Sequence, residues 1–159
     1  SIHSILYFII MINLFMNYFG QFDHAIDEEG ENKGIFLIYS HYPIFIGLIM
    51  VTVSMSFLAN PEAHHLFATS FFYTGIGLFQ AAIFANGYFN KSYLKYNKLY
   101  YGLQAAFFFI GLVLSLLFSA HPTIVITIAT LITLAMEVHF AHFYITQTKK
   151  FSTPDWDLY

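Results

Sequence analysis

Long apolar runs dominate this chain and constrain its fold more than any other feature. A helix needs roughly 20 apolar residues to cross the hydrocarbon core of a bilayer. Five runs occur, and all but the first meet this length; they cover residues 5–19, 34–58, 66–88, 99–119 and 122–144. The runs are continuous rather than alternating, so they do not suit the strands of a membrane barrel. We therefore predict an all-α polytopic membrane bundle of about five transmembrane helices, forming a single unit.

The low charge content supports this prediction. Only 9% of the 159 residues are charged, against about 25% in soluble domains. Cysteine is absent, which excludes disulfides and thiolate metal sites. A net charge of −3, with six lysines and no arginine, argues against a nucleic-acid surface. We expect the lipid bilayer to be the main partner of the chain.

Polar and turn-forming residues separate the apolar runs. An acidic stretch at residues 21–33 follows the first run, and turns at residues 60–61 and 120–122 follow the second and fourth. The first run is short for a full crossing. The chain begins at Ser1 and enters this run almost at once, so we expect a processed chain or a piece of a longer protein. A polar tail at residues 145–159 is expected to leave the membrane.

The lysine positions predict the orientation of the chain. If all five runs cross, the loop after the first helix, the loop after the third helix and the C-terminal tail share one side. Every lysine of the chain falls on that side, namely Lys33, Lys91, Lys95, Lys98, Lys149 and Lys150. The positive-inside rule assigns this side to the cytoplasm. We therefore expect the N-terminus outside the cell membrane and the C-terminus inside.

Polar side chains within the runs gather towards the lysine-bearing side. With a rise of about 1.5 Å per residue, one set of residues falls in the same half of the bilayer. These residues are His41, Gln80, Gln104, Glu137, His139 and His142. Ionisable groups at such depth usually face a bundle interior or a watery cavity, and they mark functional pathways. We predict that the six form an intramembrane polar cluster.

Glu137 is the one carboxylate inside a predicted span. It is either a functional acid or a structural carboxyl bonded to a neighbouring helix, and His41 is its best partner by depth. Glu137 and His139 point about 200° apart on a helix, whereas His142 shares a face with His139.

Pro43 follows His41 and lacks a backbone N–H donor, so we expect a kink in this helix. The kink either leaves backbone carbonyls open to a ligand or only shapes the packing of the helix.

The histidines of the predicted outer turns are weaker candidates for a functional site. His64, His65 and His121 would need carboxylates to complete a metal site, and Glu62 alone accompanies them. Interfacial histidines without a site are the better interpretation. We assign no metal, no cofactor and no catalytic residue, and the sequence disfavours an enzyme.

Two stretches carry a resemblance to a known family. They are Asn-Tyr-Phe-Gly-Gln-Phe-Asp-His at residues 17–24 and Tyr-Ser-His-Tyr-Pro-Ile-Phe-Ile-Gly at residues 39–47. The chain resembles the C-terminal half of the low temperature requirement protein A (LtrA) family of bacterial membrane proteins. The resemblance implies an integral membrane protein linked to growth in the cold, and it supplies no reaction or substrate. His41, Pro43 and Gly47 match the family pattern without catalytic roles.

Three classes of function remain open. A small-solute or proton-coupled transporter would use the polar cluster as an inward-facing vestibule, with His41 and Glu137 carrying protons. A membrane-embedded redox protein would bind haem or quinone, with haem held between facing histidines such as His41 and either His139 or His142. A non-catalytic assembly half of a larger membrane protein would complete its site with a missing N-terminal half or in a homo-oligomer.

Overall fold

The computed structural model describes residues 1–29 and 34–152. Within these ranges the chain is helical, apart from turns, loops and one isolated backbone bridge between Ile26 and Asn90. The five α-helices are α1 (Ile2–Phe19), α2 (Gly34–Ala59), α3 (His65–Ala85), α4 (Lys98–Leu117) and α5 (Pro122–Ser152). All five helical segments are long and apolar enough to cross a membrane. The predicted all-α bundle is confirmed, while Lys33 and residues 153–159 lie outside the described residues.

The first helical segment is longer than the sequence suggested. α1 continues directly into a π-helical turn, Gly20–Ala25, so that the segment spans Ile2–Ala25 with 24 residues. At 1.5 Å per residue this length is about 36 Å, enough for a hydrocarbon core of roughly 30 Å. The expectation of a short first segment is wrong because polar Gln21 is fully buried there and does not end the helix.

The last helix also extends further than predicted. α5 contains 31 residues and continues through Lys149 and Lys150 to Ser152, whereas a polar tail was expected from residue 145. Residues 123–152 contain neither glycine nor proline, and lysines in a last turn favour a helix C-terminus. With a length of about 46 Å, α5 is longer than the hydrocarbon core of roughly 30 Å is thick.

α3 provides the centre of the packed core. Its side chains Phe72, Ile76 and Phe79 are almost fully buried. α2 lies antiparallel against it, and the two backbones meet at Gly47 and Gly75. A Cβ atom built on Gly47 would lie 2.7 Å from the carbonyl oxygen of Gly75. Small residues permit this kind of close backbone approach between membrane helices.

α1 and α5 run parallel to each other. The register is the same at three levels, where a residue of the first helical segment lies beside the residue 120 positions later. Three pairs show this register: His3 with Thr123, Asn13 with Thr133, and Gly20 with Phe140. The first and last helices therefore run through the bundle in the same direction. The start of α1 and the end of α5 consequently lie at opposite ends of the bundle.

The loop between α3 and α4 closes one end of the bundle. Its backbone pairs with the segment after α1: the Asp27 N–H donates to the Phe89 carbonyl at 2.9 Å, and the Lys91 N–H donates to the Ala25 carbonyl at 2.9 Å. The C-terminal part of α5 reaches the same end, where Tyr93 contacts Phe151. All lysines within the described residues lie here, and we name it the lysine-bearing end.

Candidate functional site

A column of buried amides lines α1. Asn13, Asn17 and Gln21 follow one another at four-residue spacing and therefore share one face; all three are buried. Gln21 Nε2 donates to Asn90 Oδ1 at 2.7 Å, and the Tyr96 hydroxyl donates to Gln21 Oε1. The predicted polar cluster did not include this column, although its spacing is visible in the sequence.

Glu137 lies beside this column. Asn13 Nδ2 donates to Thr133 Oγ1 at 3.1 Å, and Asn17 and Glu137 each follow four residues later on their own helix. The shared register therefore places these two side chains at one level of the bundle. Asn17 Nδ2 and Glu137 Oε2 are both buried and have no hydrogen-bond partner. The first atom donates and the second accepts, so the two groups are chemically complementary.

His41 has partners other than Glu137. Its Nδ1 lies 2.6 Å from the Leu37 carbonyl oxygen, and its Nε2 lies 2.8 Å from the Tyr18 hydroxyl. Because a carbonyl accepts only, Nδ1 donates to Leu37, and with a single ring proton Nε2 accepts from the Tyr18 hydroxyl. The predicted pairing of His41 with Glu137 is therefore wrong. Depth alone did not reveal that His41 faces α1 at the level of Tyr18.

The hydrogen bond between Tyr18 and His41 contributes measurably to the stability of the folded protein. We expect Tyr18→Phe to lower the free energy of unfolding by about 1 kcal/mol, because His41 Nε2 loses its hydrogen-bond partner. Thermal unfolding in detergent, followed by circular dichroism, checks this. Tyr42→Phe is the matched control, since Tyr42 is exposed on α2. Equal melting temperatures for the two variants would contradict the assignment.

Gln104 and His139, two residues of the predicted polar cluster, are in contact. Gln104 Nε2 lies 2.8 Å from His139 Nδ1 and 3.1 Å from the Met136 carbonyl oxygen. Since the amide NH₂ donates to both, His139 is neutral with its proton on Nε2. The His139 ring also stacks on Tyr100, with centroids 4.5 Å apart. This pair joins α4 to α5.

The remaining predicted residues divide between two locations. Gln80 and Gln104 line one cleft between α3 and α4. Both amide atoms of Gln80 and the Oε1 atom of Gln104 are buried without partners. His142 is exposed on α5, away from this cleft. The structure thus brings Gln80, Gln104 and His139 together, whereas the register between α1 and α5 assigns Glu137 to the level of Asn17.

Pro43 lies within α2, and His64, one of the outer histidines, lies at the start of α3. α2 runs without interruption through Pro43, and the predicted kink stays a prediction. His64 caps α3, because its Nδ1 accepts from the Phe67 N–H at 3.4 Å. Within residues 1–29 and 34–152, no group of three or more acidic or histidine side chains is arranged to hold a metal.

Tyr96 connects the amide column to the lysine-bearing end. Its ring stacks on Tyr100 with centroids 4.3 Å apart. Burial raises the pKa of Tyr96 well above its usual range, and the negative charge of Glu137 contributes in the same direction. The phenol therefore stays protonated and remains a hydrogen-bond donor to Gln21. Asn90 continues the chain of contacts, because its Nδ2 donates to the Leu94 carbonyl at 2.8 Å.

Comparison with protein families gives one match. The model of the family described as Bacterial low temperature requirement A protein (LtrA) matches residues 2–136. The match covers α1 to α4 and part of α5, and Glu137, His139 and His142 lie just beyond it. Neither the comparison with curated proteins nor that with solved structures gives a significant match. Since the family model covers most of the chain, this multi-pass membrane protein belongs to the LtrA family.

Proposed function

We propose that this chain is a small-solute or proton-coupled transporter in which Glu137 carries the proton. One observation supports the proposal above all others: Asn17 Nδ2 and Glu137 Oε2 are buried, unpaired and at one level of two parallel helices. Unpaired polar atoms are costly inside a membrane protein, and intramembrane carboxylates there usually mark ion or substrate pathways. A site that exchanges a proton or a small polar solute accounts for both groups.

The two protonation states of Glu137 couple the binding of a proton to the binding of a solute at this site. As a carboxylate, Glu137 offers acceptors only. As a neutral carboxyl, it also offers an O–H donor, so the hydrogen-bonding pattern presented to a solute changes with the proton. A solute that prefers one pattern binds together with the proton or in exchange for it.

The direction of access follows from the neighbouring contacts. Towards the lysine-bearing end, the amide column continues from Asn17 through Gln21 to Asn90. Towards the other end, Asn13 and Thr133 bond to each other, and the fully buried apolar side chain of Ile10 precedes them. The polar side of the site therefore faces the lysine-bearing end, which is the cytoplasmic end under the orientation predicted from the lysines.

Proton flux into proteoliposomes tests the proposal. The full chain is reconstituted with a pH-sensitive dye inside, and flux is measured under an imposed potential with and without a panel of small polar solutes. We expect Glu137→Gln to reduce the flux at least tenfold, because the amide is close in shape and cannot release a proton. Glu28→Gln is the matched control, since Glu28 is exposed in the loop after α1.

Two outcomes would contradict the proposal. A folded Glu137→Gln protein with unchanged flux removes Glu137 from the pathway. A wild-type protein without flux under every solute condition removes proton coupling altogether. The redox alternative has less support, because His41 bonds within α1 and α2 whereas His139 bonds to α4.

A further inference from the structure

Two clefts adjoin each other between α3 and α4. One has a volume of about 360 Å³ and lies between the helices, where apolar side chains line most of it. The other has a volume of about 440 Å³ and lies at the lysine-bearing end, beside the loop that joins the helices. Phe84 and Tyr101 line both clefts. Phe84 and Tyr101 therefore stand at the boundary between the clefts, where the Tyr101 hydroxyl donates to the Phe84 carbonyl at 3.4 Å, and we name the two neighbouring clefts together the α3/α4 groove.

The inner part of this groove combines apolar walls with unpaired amides. Gly77, Ala105 and Phe108 belong to the walls. Gln80 is 3% exposed and Gln104 is 1% exposed, and three of their four amide heavy atoms have no hydrogen-bond partner. Buried amides without partners are unfavourable at membrane depth. The groove thus suits a ligand that has a long apolar part and carbonyl or hydroxyl groups next to it.

The outer part of the groove is positively charged. Lys95 Nζ donates to the Tyr88 carbonyl at 3.0 Å and lies 5.1 Å from the centroid of the Tyr88 ring, so its ammonium is held at the groove with further donor hydrogens. No acidic side chain of the described ranges lines either part. The acidic residues 27–29 line a separate cleft with Lys91. The α3/α4 groove therefore complements an anionic group.

We propose that the α3/α4 groove binds one anionic phospholipid of the surrounding bilayer. Its phosphate lies at Lys95, its glycerol ester region at the Gln80 and Gln104 amides, and an acyl chain between α3 and α4. Both volumes fall within the roughly 300–1,000 Å³ of typical ligand sites. Tyrosines at the level of lipid headgroups and basic residues beside them favour anionic lipids. This site is independent of Glu137 and of the transport proposed above.

Lipid binding to the purified, delipidated full chain tests the headgroup assignment. Native mass spectrometry compares phosphatidylglycerol with phosphatidylcholine of the same acyl chains. We expect at least tenfold tighter binding of phosphatidylglycerol, and Lys95→Gln should abolish this preference. Lys91→Gln is the control, because Lys91 lies in the separate acidic cleft. Equal binding of the two lipids by the wild type, or an unchanged preference in Lys95→Gln, overturns the proposal.

A second variant tests the apolar part and remains decisive if Lys95→Gln does not fold. Ala105→Phe fills the groove and should weaken binding of both lipids at least tenfold. Ala106→Phe, on an exposed position outside the groove, should leave it unchanged. Unchanged lipid binding in Ala105→Phe overturns the proposal. Displacement by soluble glycerol phosphate would reassign the groove to a free anion, and loss of a dimer in Ala105→Phe would reassign it to a second copy of the chain.

Discussion

Gly47→Leu is expected to lower the free energy of unfolding by about 3 kcal/mol or more, the largest effect of any single change considered. The Gly47 Cβ position lies 2.7 Å from two backbone atoms of α3, the Gly75 oxygen and the Phe79 nitrogen. Neither atom belongs to a side chain that can rotate away. Leucine at this position therefore forces α2 and α3 apart, and overpacking of this kind costs about 1–3 kcal/mol even where side chains can adjust.

Reversible unfolding in mixed detergent micelles measures this effect. Gly102→Leu is the matched control, because nothing lies within 4 Å of a Cβ atom at Gly102, and we expect its stability to stay within about 0.5 kcal/mol of the wild type. Gly47→Ala should fall between the two. Wild-type stability in Gly47→Leu would show that the two helices do not meet at this glycine.

Gln21→Leu is expected to destabilise the lysine-bearing end by about 3 kcal/mol. Leucine is similar in size but removes a donor to Asn90 Oδ1 and an acceptor for the Tyr96 hydroxyl. Each buried group left without a partner costs about 1–3 kcal/mol. Tyr96 cannot escape this cost by ionising, because burial raises its pKa.

Hydrogen exchange of the backbone amides shows where in the protein the stability is lost. The amides of Asp27 and Lys91, which bond to Phe89 and Ala25 across the closed end, should exchange faster in Gln21→Leu, while amides of the α2–α3 hairpin remain protected. Gln147→Leu provides the control, since Gln147 is only partly buried on the last part of α5. Uniform exchange across both regions would contradict a local role for Gln21.

The lengths of the apolar runs predicted the helices but did not show how each helix is rotated about its axis. Hydropathy depends on composition, so the five crossings are visible in the sequence. Which neighbour a residue faces depends on packing, because each residue turns a helix by about 100°. His41 and Glu137 share a depth in the sequence-based assignment, yet His41 bonds to Tyr18 and Glu137 lies beside Asn17. The four-residue spacing of Asn13, Asn17 and Gln21 indicated a shared face but not its partner.

The parallel contact between the first and last helices has a consequence for biosynthesis. The Asn13 amide finds its acceptor on a residue 120 positions later, and ribosomes add about 5–20 residues per second. The amide therefore waits roughly 6–24 s for Thr133 to be made. During that interval α1 can already contact α2 through Tyr18 and His41 but lacks α5, so a slow step in α5 insertion leaves the Asn13 amide without its native acceptor.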